Sequence, residues 1–239
     1  MKFDYSKEDM LLKVYPTFTG CVVEGWDLMK KYFLILFLAV LVVGLADIPL
    51  GIVNIEEKFT GVWLLALAYL QLIGFVYWLA FMGPLEYSLD WIFLKASRGT
   101  EPKFDELLTG FRLFGKVILA RLLSTVLIVF GFIFFIIPGL FLLCKLVFVS
   151  YLVVDKKVDA VSAIKLSWHM SNGYFLTILG MGIFFFVVIV IGFFLLIIGA
   201  VVAVTWAHAS FAMLYKAAEE LHYKDACTKI GIPLQEEVS

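Results

Sequence analysis

Apolar residues in this chain come in long unbroken blocks, with the charged residues gathered between them. The pattern is clearest in the middle. Residues 104–116 are amphipathic, with Asp105, Thr109, Arg112 and Lys116 on one helical stripe and Phe104, Leu108, Phe111 and Phe114 on the other. Two apolar runs follow, 117–137 and 140–154, around Pro138-Gly139. Each is near the ~20 residues that cross about 30 Å of hydrocarbon at about 1.5 Å per residue. Proline cannot continue a helix and glycine tolerates a tight reversal, so Pro138 and Gly139 are expected to form the turn of a membrane hairpin. Asp155 is then placed to cap a second amphipathic helix. That helix is polar along Asp159, Ser162, Lys165, His169 and Asn172, and apolar along Val161, Ile164 and Trp168.

The rest of the chain follows the same grammar. Residues 1–18 mix charges of both signs and read as a short surface segment, without the layout of a cleavable signal peptide. Over 19–31, Glu24, Asp27 and Lys31 share a face opposite Val22, Val23, Trp26 and Met29. A first span covers 33–50, interrupted by Asp47 and Pro49, and a polar turn with Glu56, Glu57 and Lys58 leads to a second span over 62–82. The helical pattern continues past Gly83-Pro84 to Arg98-Gly99. A straight helix of that length would measure roughly 55 Å, so a bend at Pro84 is expected, with the second part leaning along or emerging through the interface. Residues 174–215 are too long for one crossing; a division near Gly199 gives spans five and six. The fold class is therefore all-α: a polytopic membrane protein of six transmembrane helices, arranged as three hairpins with interfacial amphipathic helices. Residues 19–218 form the membrane bundle, and 219–239 a helical tail that frays.

The three hairpins hint at an internal repeat. Trp26, Phe111 and Trp168 each close an amphipathic stretch, and six residues later Tyr32, Val117 or Tyr174 opens an apolar run. The same aromatics would serve as interfacial anchors in any six-span protein, so repetition and simple membrane entry are both open readings.

Composition agrees with a membrane protein. The chain is 63% hydrophobic and 16% charged, with mean hydropathy +1.00; a globular protein has roughly 45–50% apolar and about 25% charged residues. A net charge of −1 gives no reason to expect a nucleic-acid partner. Of the 19 Lys and Arg residues, all but Lys58, Arg121 and Lys145 precede span one, lie between spans two and three or four and five, or follow span six. The positive-inside bias then puts both termini in the cytoplasm.

Ionisable residues inside spans are costly and are the first functional suspects. Asp47 and Lys145 could lie at similar depth and pair across helices; the bland alternatives are a turn residue beside Pro49 and a lysine snorkelling to the outer interface. Arg121 lies five residues beyond Lys116, and snorkelling is the favoured reading. His208, near the middle of span six, is expected to hydrogen-bond to a neighbouring helix rather than bind metal or relay protons. Glu86 and Asp90 lie one turn apart and could serve a cation, although a solvated face is the simpler reading. Cys21, Cys144 and Cys227 fit neither a metal spacing nor a disulfide framework. No nucleophile elbow, triad pattern or phosphate loop is present, so no catalytic, metal or cofactor site is expected.

Gly83-Pro84-Leu85, Arg98-Gly99, Phe104-x-x-Leu107, Ile137-Pro138-Gly139, Val154-Asp155 and Ala163-x-x-x-Ser167-Trp168 occur in one order. That order, over roughly residues 20–218, resembles the membrane domain attached to some glycerophosphodiester phosphodiesterases and a set of related prokaryotic integral membrane proteins. Members often carry a charged residue after the Ser-Trp pair, where this chain has His169. The phosphodiesterase activity belongs to a separate soluble domain, and no segment here is long and polar enough to be one. The resemblance thus implies a multi-pass protein of a prokaryotic plasma membrane, not the enzyme. The expected function is a non-enzymatic membrane module binding lipid or a partner, whether another membrane protein or a second copy. The alternative is a transporter or channel for a small or lipid-like solute.

Overall fold

The computed structural model describes residues 17–51, 62–195 and 197–233, and it is 88% helical, with no strand among the described residues. Long Leu, Ile, Val and Phe blocks must become helix in hydrocarbon, because each peptide N–H and C=O can then be satisfied within its own segment. In chain order the helices are α1 (Phe18–Lys31), α2 (Phe33–Gly51), α3 (Val62–Tyr77), a π-helical turn (Trp78–Met82) and α4 (Gly83–Ser97). Then come a 3-10 turn (Phe104–Leu108), α5 (Thr109–Arg112), α6 (Phe114–Phe134), α7 (Ile136–Leu146), α8 (Val149–Asp155), α9 (Ala160–Met170), α10 (Phe175–Leu195) and α11 (Ile197–Ile230). Among the described residues, five helical segments are long and apolar enough to cross a membrane: Ala68–Ser97, Phe114–Phe134, Ile136–Asp155, Phe175–Phe194 and Ile198–Ile230. A sixth is counted if α1 and α2, bent by 97° at their junction, form one broken span. The chain is a multi-pass, all-α membrane protein. The expected N-terminal segment and first polar turn lie almost wholly outside the described residues.

Exposed apolar side chains form a belt around α6, the start of α7 and α10, where Ile137 is 81% exposed and Phe194 84%. The packed core lies elsewhere. It is built from α4, α8, the inner face of α9 and the second half of α11, with Phe93, Leu94, Phe148, Leu152, Leu166 and Tyr215 fully buried. α4, expected to lean along or emerge through the interface, is largely surrounded by protein. Pro84 does not bend it sharply, because the π-helical turn directly before it accommodates the N–H that proline lacks. Gly99, at φ +80°, ends α4 in the left-handed conformation, with Thr100 N–H returned to the Lys95 carbonyl at 3.1 Å.

The central hairpin turns earlier than Pro138-Gly139. A single extended residue, Phe135 (φ −167°, ψ 159°), separates α6 from α7, and Pro138 is the third residue of α7, again within the tolerant first turn. Gly139 serves packing, since a Cβ built at Gly131 would lie 3.0 Å from the Gly139 Cα. The break near Gly199 is corrected in the same way. α10 ends at Leu195 and α11 starts at Ile197, and Gly199 lies inside α11, back to back with Gly192. α11 then runs to Ile230 without a boundary near 218, with Tyr223, Ala226 and Cys227 buried.

The helix after span four also differs from the expected stripes. Its buried face is Ala160, Ala163, Leu166, Ser167 and Met170, while Val161 and Trp168 point outward. Ala160, Ala163 and Ser167 on that face let α9 lie close along α7 and α8, while Leu166 and Met170 fill the core beside them. Its N-cap is Asp159, not Asp155: Asp159 Oδ2 accepts from the Ser162 N–H at 3.1 Å. Hydrogen bonding to Ser162 holds the Asp159 carboxyl below its ordinary value. A depressed folded pKa gives stability that is complete above the unfolded value, about 3.9, and is lost as pH falls through the folded one. Asp159→Ala is expected to cost about 1 kcal/mol at pH 7. Thermal unfolding in detergent should show that the difference from the parent shrinks towards zero in acid.

Candidate functional site

Two polar constellations and one apolar groove stand out, all organised around α4, α7 and α11. At the C-terminal ends of α4 and α8 the Arg98 guanidinium grips Asp155 with two nitrogens, at 2.6 and 2.7 Å, and reaches Glu219 of α11 at 2.7 Å. Lys156 Nζ lies 2.5 Å from the other Glu219 oxygen, and the Tyr215 hydroxyl donates to Asp155 at 3.1 Å. Two cations meet two carboxylates, nearly all buried, so the charges cancel. This arrangement suits a clamp on three helices better than a site that must attract an ion.

The second constellation sits one turn after the π-helical turn. Glu86 and Asp90, successive on one face of α4, each meet a basic residue from another helix. Arg121 of α6 donates to both Glu86 oxygens, one at 3.1 Å, and its guanidinium lies 4.0 Å from the centre of the Trp78 ring. Arg121 is therefore buried and paired, not snorkelling, and Glu86 and Asp90 are not simply a solvated face. Length alone could not reveal this, because the partner carboxylate comes from a helix 35 residues earlier. His208 Nδ1 lies 3.1 Å from Asp90 Oδ1, and its ring stacks on Phe93 at 5.4 Å. Arg121 Nε is buried without a hydrogen-bond partner among the described residues. The structure thus brings Arg121 and His208 to neighbouring turns of one helix.

Asp47 and Lys145 it does not bring together. Asp47 is exposed on α2, whereas Lys145 is 5% exposed and donates to the Asn172 Oδ1. The reason is the earlier turn at Phe135, which sets Lys145 deeper along its helix. The return of α9 along α8 and α7 then carries Asn172 to it. Lys145 Nζ also lies 5.5 Å from the Phe141 ring and 5.6 Å from that of Trp168, so aromatic faces and an amide replace the expected carboxylate. Ser167 stitches the nearby break between α7 and α8: its hydroxyl donates to the Lys145 carbonyl at 2.7 Å and accepts from the Phe148 N–H at 3.2 Å. Of the expected interfacial anchors, Trp26 packs edge-on against Trp206, Phe111 against Phe81 and Trp168 against Phe141.

Beside Lys145, on the opposite face of α7, lies a groove of about 370 Å³ between α7 and α10, closed by Phe211 of α11. Leu140, Leu143, Cys144 and Val147 form one wall, and Ile178, Leu179, Gly182, Ile183 and Phe186 the other. No group of three or more His, Cys, Asp or Glu able to hold a metal is found among the described residues. Glu86, Asp90, Asn172 and Glu219 are the participants that sequence reasoning undervalued. Only the one-turn spacing of Glu86 and Asp90 offered a signal. Comparison of the chain with family models, with curated proteins and with solved structures finds no match.

Proposed function

We propose that this multi-pass protein is a non-enzymatic membrane module that holds a lipid acyl chain in the groove between α7 and α10. The groove carries the reading: its walls are hydrocarbon apart from one thiol, and it opens among the exposed apolar belt residues of α10, so a neighbouring chain enters without crossing a polar barrier. In this reading both termini face the cytoplasm of a prokaryotic cell, as the distribution of lysine and arginine favours. The resemblance in motif order to phosphodiesterase membrane domains supports a membrane-module role and no hydrolysis.

A Cβ built at Gly182, in the groove wall, meets nothing within 4 Å, so a larger side chain has room to start there and take up groove space. Gly182→Phe is expected to leave the fold intact and to abolish co-purified lipid seen by native mass spectrometry. Equal lipid occupancy in the variant and the parent would refute the groove as the binding site. A second reading, transport of a small or lipid-like solute, draws on the Glu86–Arg121 and Asp90–His208 contacts. Solute uptake into vesicles that survives Gly182→Phe and is lost in Asp90→Asn would favour it.

A further inference from the structure

A second pocket lies between the end of α9 and the last turns of α11. It is small, about 180 Å³, and lined by His169, Asn172, His222, Asp225, Ala226 and Lys229. Its chemistry is unlike that of the groove. Three basic side chains face one carboxylate, and none of the three basic groups makes an ion pair among the described residues. His222 Nε2 is engaged by the Tyr174 hydroxyl at 2.7 Å. With that hydroxyl donating, the proton of neutral His222 sits on Nδ1 as a donor. Asn172 also lines the pocket: its Oδ1 accepts from Lys145, and its amide N–H groups remain as donors. Hydrogen-bond donors therefore outnumber acceptors, with the Lys229 ammonium offsetting the Asp225 carboxylate, and the complementary ligand is a small group rich in acceptor oxygens.

The spacing from the groove narrows the choice. Phe211 closes the groove and His222 lines the pocket on the same helix, eleven residues and roughly 16 Å apart at about 1.5 Å per residue. That is about half of a ~30 Å hydrocarbon core, the separation between a lipid's polar head and the far part of its chain. Tyr174, bonded to His222, also precedes the groove residues Ile178 and Leu179 by about one turn of α10. We infer that this pocket takes the phosphate group of a glycerophospholipid whose acyl chain occupies the groove, an inference that rests on the lipid-binding reading above.

The full-length protein in detergent, titrated with phosphatidylglycerol, with diacylglycerol of the same chains and with inorganic phosphate, tests it by native mass spectrometry. Phosphatidylglycerol is expected to bind about tenfold more tightly than diacylglycerol, the scale of one charge-assisted contact. Lys229→Gln should lower that ratio towards one, and Asp225→Asn should raise it, opposite signs that general loosening of the fold would not produce. Equal binding of the two lipids, or a preference that neither substitution changes, overturns the phosphate pocket and leaves the groove reading standing. Binding of inorganic phosphate, sensitive to Lys229→Gln but with neither lipid bound, overturns the lipid source and the groove reading together. Binding of none of the three probes refutes both.

Discussion

Arg98→Met is expected to destabilise the folded protein by about 3–5 kcal/mol, enough to deplete it from a detergent extract. Arg98 is the hub of a cluster that joins α4, α8 and α11, and its removal leaves Asp155, 5% exposed, and Glu219, 10% exposed, facing one ammonium instead of two cations. An uncompensated carboxylate in such surroundings loses its hydration with nothing in exchange. Asp155→Asn in the Arg98→Met background should therefore recover part of the loss, because it deletes the stranded charge. Lys95→Met, which breaks the more exposed Lys95–Glu106 pair, is expected to cost about 1 kcal/mol or less. If thermal unfolding in detergent places Arg98→Met and Lys95→Met within half a kcal/mol of each other, the cluster is not the clamp described.

The second large effect is expected at Gly110. A Cβ there would drive into the Pro84 carbonyl, a backbone atom that cannot rotate away. The contact is tightened by Ser88, whose hydroxyl donates to the Pro84 carbonyl at 2.7 Å and accepts from the Gly110 N–H at 2.7 Å. Gly110→Ala must therefore push α5 off the start of α4, at an expected cost of about 3 kcal/mol. Gly115→Ala is the matched control: its Cβ meets nothing within 4 Å and it lies in the first turn of α6, so little change, at most a gain of about 0.5 kcal/mol, is expected from helix propensity. Because Glu86 follows Pro84 by two residues, Gly110→Ala should also disturb the Arg121 contact. Quenching of Trp78 fluorescence, in a chain whose other tryptophans are replaced, would report that shift. Equal stability of Gly110→Ala and the parent would show that the two elements are not interlocked.

The all-helical membrane fold was legible because hydrocarbon leaves the backbone few choices, and runs such as 117–137 announce themselves. Turns were less legible. Pro138-Gly139 looks like a reversal on local preferences, yet proline is equally content in the first turn of a helix, and glycine equally useful where two helices touch. Only the packing of Gly139 on Gly131 decides between those uses. The stripes of α9 misled for a related reason: the buried face mixes small residues such as Ala163 and Ser167, where helices approach closely, with Leu166 and Met170, so size alone does not mark it. Intramembrane charges were recognisable as suspects, but their partners were not. Arg121 finds Glu86 and Lys145 finds Asn172 through the return paths of α4 and α9, which no periodicity encodes.

The three thiols of the chain sit in different company. All three are free and buried in the core, and of the three Cys144 is the one among the wall residues of the groove. The natural sequence therefore carries its own occupancy gauge. A slim membrane-permeant organomercurial, which captures the neutral thiol that an apolar wall favours, should reach that sulfur when the slot is vacant and be held off when an aliphatic guest fills it. The rate of mass gain at one site would read out loading without a single engineered residue.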